Sequence, residues 1–478
     1  MGKKHLIFIF VALVIITFNP YPFLGGDNVV YSILAKSIVT GNGYSSIHKP
    51  DSPPHIHYPP GFPIFLAPLV LIFGINMTIL KFVPLLGAIL AMMIFSKIDW
   101  GDEGIPFYST LLFATSPLII LYSSRVLSEI PFIAVVLASI YFHKRKKYIP
   151  AWLMAVAAVY IRSAGLFLTG AYLIFYIARR EYQRLLICFS IFICAYLPWY
   201  IRNRVVSTEP TYLKQFFMVD PYNIEAGTIT PLLFLQRIIT NAKLYFLEIL
   251  PRSFTTIFGQ VNYLLGVLLL VLSVAGIIKS GGKNRFTKYV VVLFFLSLLL
   301  WPTVWSSDRF LLSGLPLLFP FLVIGARAIA KTYGRYLIIS LAVLSIVSTI
   351  QMIPVGIEQK IHFVKGDYEF GYSLDWQKFR QVCFWAKDNV NPGVIVSRKP
   401  EFTYLWSGYQ SNIYPYSYDE EAVWEEIKQY DYILIDSFFW SATTQKYLIP
   451  AILKHRTEIK ALYRTSPPES WLLRIKHR

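Results

Sequence analysis

The chain has 478 residues, of which 55% are hydrophobic and 15% charged, with a mean hydropathy of +0.51 and a net charge of +18. A soluble domain of ordinary composition carries about 25% charge, so a purely water-soluble protein of this length is excluded. A nucleic-acid-binding protein is excluded too, because the basic residues sit in short clusters between apolar runs instead of forming one patch.

Three cysteines (Cys188, Cys194, Cys383) give neither a disulfide framework nor metal-ligand spacing, and the two inside one apolar run, Cys188 and Cys194, are expected to be packing residues. The chain has no P-loop, no GxGxxG after a strand, no HExxH and no GxSxG, so nothing points to nucleotide hydrolysis.

The first apolar run, near residues 5–18, follows Lys3 and Lys4 and ends in Asn19-Pro-Tyr-Pro22 without a small-x-small cleavage site. It reads as an uncleaved first span with a cytoplasmic N-terminus. The segment 19–77 is then an outer loop. Within it, the apolar stripe of 28–39 predicts a helix lying on the membrane surface, and the short run 62–73 predicts a second interfacial or re-entrant helix. Further spans are expected near 78–97, 104–122, 129–143, 148–162, 164–178, 185–201, 259–278, 288–304, 310–329 and 335–353. With the first they make about eleven.

This alternation puts the clusters at 144–147, 179–184, 279–288 and 327–335 in the cytoplasm, together with the acidic loop 99–103. A second outer loop spans 202–258, with an amphipathic stretch near 231–250. The odd span count places the C-terminal region outside. The expected fold class is an α-helical polytopic membrane protein, with domain 1–353 in the membrane and a small α/β extracytoplasmic domain at 354–478. In the latter, 376–388 and 420–429 read as helices and 393–397 and 432–435 as strands.

Asp27 follows two glycines at the outer mouth of the first span. It is either the cap of the helix beginning at Asn28 or a general base at the bilayer interface. Glu129 lies at the outer end of a span, where an ionised group is functional, paired, or both; Arg125, four residues earlier, is one available partner. Arg162 interrupts an apolar stretch and Arg309 follows Asp308 between two spans. Each alone is an interfacial anchor, but with Arg125 they supply outer-face positive charge suited to a phosphate. His48, His55 and His57 precede Tyr58-Pro59-Pro60, and the His-x-His pair is a divalent-metal pattern with His57 nearest the membrane.

These features occur in the order Gly-Gly-Asp27, Tyr58-Pro-Pro-Gly-Phe-Pro63 with Phe73-Gly74, Arg125-Val-Leu-Ser-Glu129-Ile-Pro131, Arg162-Ser-Ala-Gly165, and Asp308-Arg309-Phe310 with Pro316. In that order the chain resembles the GT-C superfamily of polyprenyl-phosphate-dependent glycosyltransferases over residues 1–350, nearest the branch of protein O-mannosyltransferases and the lipid A aminoarabinose transferase.

The resemblance implies a sugar donor on a polyprenyl phosphate, with Asp27 as catalytic base and Arg125 and Glu129 in the active site. It also implies a lipid, glycan or protein acceptor and a setting in the plasma or inner membrane. His57 falls where the aminoarabinose branch has an acidic metal ligand, and Tyr58 where it has a phosphate-binding lysine. A lipid-linked sugar flippase and an O-antigen ligase or polymerase are the alternatives. The first would want charges deep within several spans, the second its chemistry in one late outer loop.

Overall fold

The computed structural model describes residues 2–102, 104–206, 212–221, 226–255 and 262–477. Parts of the expected outer loop (207–211, 222–225, 256–258), the start of the span expected at 259, and Glu103 lie outside the described residues. The chain is mostly helical, with one small sheet, and divides into two compact units.

The first unit comprises residues 1–20, 56–65 and 81–361. Its helices coincide with the expected spans, from Lys3–Ile16 through Glu129–Lys144, Tyr148–Ile161 and Leu166–Arg179 to the long Gly334–Val364. The expected count of eleven spans is not reached by length. Among the described residues, three stretches are long and apolar enough to cross a bilayer, Met77–Lys97, Tyr182–Val206 and Leu315–Val364; a fourth counts if Tyr263–Lys279 and Gly282–Leu300, bent by 111°, form one span.

The other helices fall short of the ~20 residues a span needs. The reason is visible at 104–122, which breaks into Ile105–Thr115 and Pro117–Tyr122. Pro117 lacks the N–H that would continue the ladder and holds Ser116 extended (φ −64°, ψ 113°).

The helix Tyr182–Val206 buries only Cys188, while Leu186, Phe189, Ile193, Leu197 and Ile201 are exposed. Such a surface suits lipid, not water. Cys194 is exposed, contrary to the packing role expected of it, because it lies on that uncovered side. Elsewhere helices touch backbone to backbone. A methyl placed on Gly276 would lie 1.8 Å from Phe321 O, and one on Gly325 would lie 1.9 Å from Leu272 O. Small residues let the helices Tyr263–Lys279 and Leu315–Ala330 approach this closely.

One end of this unit gathers the basic loops. Lys144 Nζ donates to Asn284 Oδ1 (2.6 Å) and Asp99 O (2.7 Å), Lys283 pairs with Asp99 (3.2 Å), and Lys3 donates to Ser96 O (2.9 Å). Lys283 and the backbone N–H of Gly101 hold the Asp99 carboxyl below its usual range despite partial burial.

The second unit comprises residues 21–55, 66–80 and 362–478. Its sheet has the order β2-β1-β3-β5-β4, with β1 Ile395–Val396, β2 Ser411–Asn412, β3 Tyr432–Ile435, β4 Ile459–Arg464 and β5 Trp471–Ile475. β1 runs parallel to β2 and β3, and β5 is antiparallel to β3 and β4. The α/β reading of this region holds: helices Leu374–Asn389 and Glu420–Ile427 and strand β3 stand where the pattern placed them, and β1 occupies part of 393–397. Val396, Trp424, Ile427, Ile433, Leu448 and Leu473 form the core beneath the sheet.

The early segment 21–55 belongs to this unit. Helix Asp27–Val39 meets helix Pro400–Ser407, with Lys36 Nζ donating to Tyr404 OH (3.2 Å), and Ser411 N donates to His48 O (2.7 Å).

Candidate active site

In the first unit three chain turns bring charges together. Glu129 opens the helix Glu129–Lys144. Arg162 ends the helix Tyr148–Ile161 in extended conformation (φ −148°, ψ 137°), which turns its side chain out of the helical row. Arg309 sits in the short helix Asp308–Leu312. Glu129 is fully buried. Its Oε1 accepts from Arg162 Nη1 at 2.8 Å and from Arg309 Nε at 2.9 Å. Arg162 Nη1 also donates to Ser128 Oγ (2.9 Å), and its guanidinium lies 5.8 Å from the Phe310 ring centroid. Glu129 Oε2 is buried with no hydrogen-bond partner among the described residues.

Beside this triad, Asp308 Oδ1 accepts from Tyr122 OH and from the Arg309 backbone N–H, both at 3.0 Å. The Arg125 guanidinium stacks over Tyr122, 4.3 Å from the ring centroid. Arg125 in turn is near enough to Lys81 for their charges to repel. Lys81 is 1% exposed and donates to Asn19 O at 2.6 Å. The sequence reading passed over Lys81, although a lysine inside the apolar stretch Met77–Lys97 is itself a signal of function.

Asp27 lies in the second unit, half-buried, as the first residue of helix Asp27–Val39. The N-cap is Gly26, not Asp27. Gly26 has φ +94°, a conformation that side chains other than glycine's rarely adopt. Asp27 instead occupies the first turn, where the helix dipole favours a carboxylate. A methyl on Gly26 would lie 2.6 Å from Glu401 Oε1 and 3.6 Å from Lys399 Nζ, so these two side chains border the turn that carries Asp27.

His57 and Tyr58 lie half-buried in the turn before helix Gly61–Phe73. Gly61 seats this turn against the helix that ends at Arg162: its added methyl would meet Tyr160 O at 2.7 Å. His55 Nδ1 is engaged by Ser46 Oγ at 3.0 Å, and the buried His48 lies 6.4 Å from the Tyr404 ring. No group of three or more His, Cys, Asp or Glu side chains suited to a metal occurs among the described residues. His48, His55 and His57 do not form such a group.

No family model matches the chain, and no curated protein matches it by sequence. Solved structures do. ArnT from Cupriavidus metallidurans, in the apo state, aligns over 99% of this chain and 98% of its own with a TM-score of 0.60 at 9% identity. The same protein bound to undecaprenyl phosphate aligns over 98% and 97%, with a TM-score of 0.60 at 10% identity.

The fold is that of the GT-C glycosyltransferases. An Archaeoglobus fulgidus oligosaccharyltransferase, in complex with Zn and sulfate, shares this GT-C fold over 98% of this chain and 72% of its own, with a TM-score of 0.54 at 12% identity. The GT-C resemblance drawn from short motifs over residues 1–350 therefore extends, as fold, through the C-terminal unit.

Proposed function

We propose that this protein is a membrane glycosyltransferase that moves a sugar from a polyprenyl-phosphate donor to an acceptor hydroxyl on the outer side of the membrane. The observation that carries the reading is the charge balance around Glu129. Arg162 and Arg309 close on Glu129, and Arg125 lies over Tyr122, which donates to Asp308, so three guanidinium groups gather around two carboxylates. Positive charge in excess beside an apolar, lipid-facing helical unit suits a lipid phosphate. The GT-C fold supports the same donor, since one ArnT structure with this fold holds undecaprenyl phosphate.

In this reading the acceptor oxygen attacks the anomeric carbon and gives its proton to Asp27. The bond from that carbon to the phosphate oxygen breaks, and the polyprenyl phosphate departs with the electron pair. A single displacement inverts the anomeric centre. Arg309 and Arg162, oriented by Glu129, and Arg125, steadied on Tyr122, stabilise the growing phosphate charge. Glu129 orients the arginines and is not itself a proton acceptor.

The test is incubation of membranes holding the protein with labelled polyprenyl-phosphate sugars. Consumption of one of them, lost in Arg309→Ala, is the expected result. No consumption of any donor refutes the reading.

A further inference from the structure

The unit that contains Asp27 holds a second concentration of charge and aromatic surface. From β1 the chain crosses to β2 on one side, then returns to β3 on the other. The carboxyl ends of β1 and β3 thus flank a point where the connections diverge, and parallel sheets present ligand sites at such points. Arg398 and Lys399 follow β1; Asp436 through Trp440 follow β3.

The side chains there are held in place. The Arg398 guanidinium lies between the rings of Tyr416 and Trp440, 5.5 Å from each centroid. Its Nε donates to Thr443 Oγ1 (2.8 Å) and Ser441 Oγ (3.3 Å), while its Nη atoms make no hydrogen bond among the described residues. Lys399 Nζ is 5.1 Å from the Trp440 ring centroid. Trp440 is backed by Phe438 at 5.0 Å and Trp376 at 6.4 Å, yet remains 43% exposed. Asp436 is no ligand group here. It is buried, which raises its carboxyl above the usual range, and it is occupied by Thr444 Oγ1 (2.6 Å) and the Phe438 N–H (3.1 Å).

We propose that the carboxyl ends of β1 and β3 form the acceptor subsite, and that the acceptor is a saccharide bearing an acidic group. The proposal rests on the transferase reading above. An exposed indole face takes the C–H face of a sugar ring, and a guanidinium fixed at Nε leaves its two Nη groups to fork onto a carboxylate or phosphate. Lys399 links this surface to the base. It reaches from the Trp440 ring to within 3.6 Å of the methyl position on Gly26, the residue before Asp27. A saccharide lying on Trp440 therefore runs toward the Asp27 carboxylate within one unit.

The test uses full-length protein in phosphatidylcholine nanodiscs and measures binding of trigalacturonate, neutral maltotriose and inorganic phosphate by ligand-observed NMR. The expected result is that trigalacturonate binds at least about tenfold tighter than either comparator. Trp440→Ala and Arg398→Gln should each weaken it about tenfold with unchanged melting temperature. Equal binding of acidic and neutral trisaccharides overturns the proposal. So does phosphate binding as tightly as trigalacturonate, or full affinity in Trp440→Ala. Donor consumption measured on the same preparations separates the two readings. Donor consumed without saccharide binding refutes this subsite alone, whereas saccharide binding without donor consumption refutes the transferase.

Discussion

Arg309 and Glu129, 180 positions apart in sequence, meet with Nε 2.9 Å from Oε1, and the same oxygen takes Arg162 from the other side at 2.8 Å. Three helix ends are fastened at this one atom. Removing the charge of a buried partner leaves the others uncompensated, at a cost of about 3–5 kcal/mol. The arginines keep 12% and 18% of their side-chain surface, so Glu129→Gln should fall at the lower end of that range. A melting temperature of Glu129→Gln equal to that of the wild type, in the same detergent, would show that the triad does not hold the helices.

Arg309→Lys separates clamp from anchor. Lysine keeps the charge but loses the planar fork. A residue that only marks the interface tolerates the change. A phosphate clamp should lose an order of magnitude or more in turnover, since a charge-assisted bond contributes roughly 1.5–3 kcal/mol, and turnover should suffer more than apparent donor affinity. Normal turnover in Arg309→Lys with purified donor would move the clamp to Arg125, Arg162 or Lys81.

For Asp27, the expected result of Asp27→Asn is a loss of about 10²–10⁴-fold in rate with donor binding kept. Capping does not confuse the outcome, because Gly26 is the cap. The lost helix-dipole interaction is only about 0.3–1 kcal/mol. Near-normal activity would leave Asp27 as a first-turn carboxylate and nothing more.

Much of this was legible in the sequence because the relevant signals are local. Apolar runs and stripes marked most of the longer helices, and Tyr432–Ile435 was readable as a strand from its short apolar run ending at Asp436. Helix breaks were less legible: Pro117 splits an apolar run that composition alone joins. Long-range pairing was illegible. Arg125 stood four residues from Glu129 and was the available partner, yet Arg162 and Arg309 close on the carboxylate from distant turns. Nothing in the sequence linked segment 21–55 to the C-terminal unit, because their contacts join residues far apart in the chain, such as the bond from Ser411 N to His48 O and that from Lys36 Nζ to Tyr404 OH.

His48 gives a pH dependence. Burial pushes its pKa down to about 4, and Lys49 adds to the effect. The folded form thus holds it neutral where the unfolded chain titrates near 6.5. Above that pH both states are neutral and the stability is fully present. Between pH 6.5 and 4 only the unfolded state takes up the proton, so stability falls, by roughly 3 kcal/mol in all, and levels off below the folded value. Amide exchange in β1 and β2 should rise over this window in the wild type and stay flatter in His48→Asn. The same slope in both proteins would rule His48 out as the cause.

The last expectation concerns orientation. Lys3, Asp99, Lys144 and Lys283 meet at one end of the first unit through the bonds that tie their loops together. Arg327 belongs to the same end, since its Nη2 lies 2.3 Å from a methyl position on Gly104. The Glu129 triad stands at the opposite end of the helix Glu129–Lys144, about 24 Å away at 1.5 Å per residue. Basic loops stay in the cytoplasm, so the N-terminus should be inside and the triad outside. The C-terminal region follows helix Gly334–Val364, which starts beside the basic end, where a methyl on Gly334 would meet Ala326 O at 2.4 Å. At 31 residues that helix is about 46 Å long, enough to cross the bilayer and deliver the chain outside. A reporter that is active only in the cytoplasm should therefore be silent after Arg478 and active before Lys3. A strong signal at the C-terminal fusion would reverse the side on which the arginines lie, and with it the proposal that the reaction runs at the outer face.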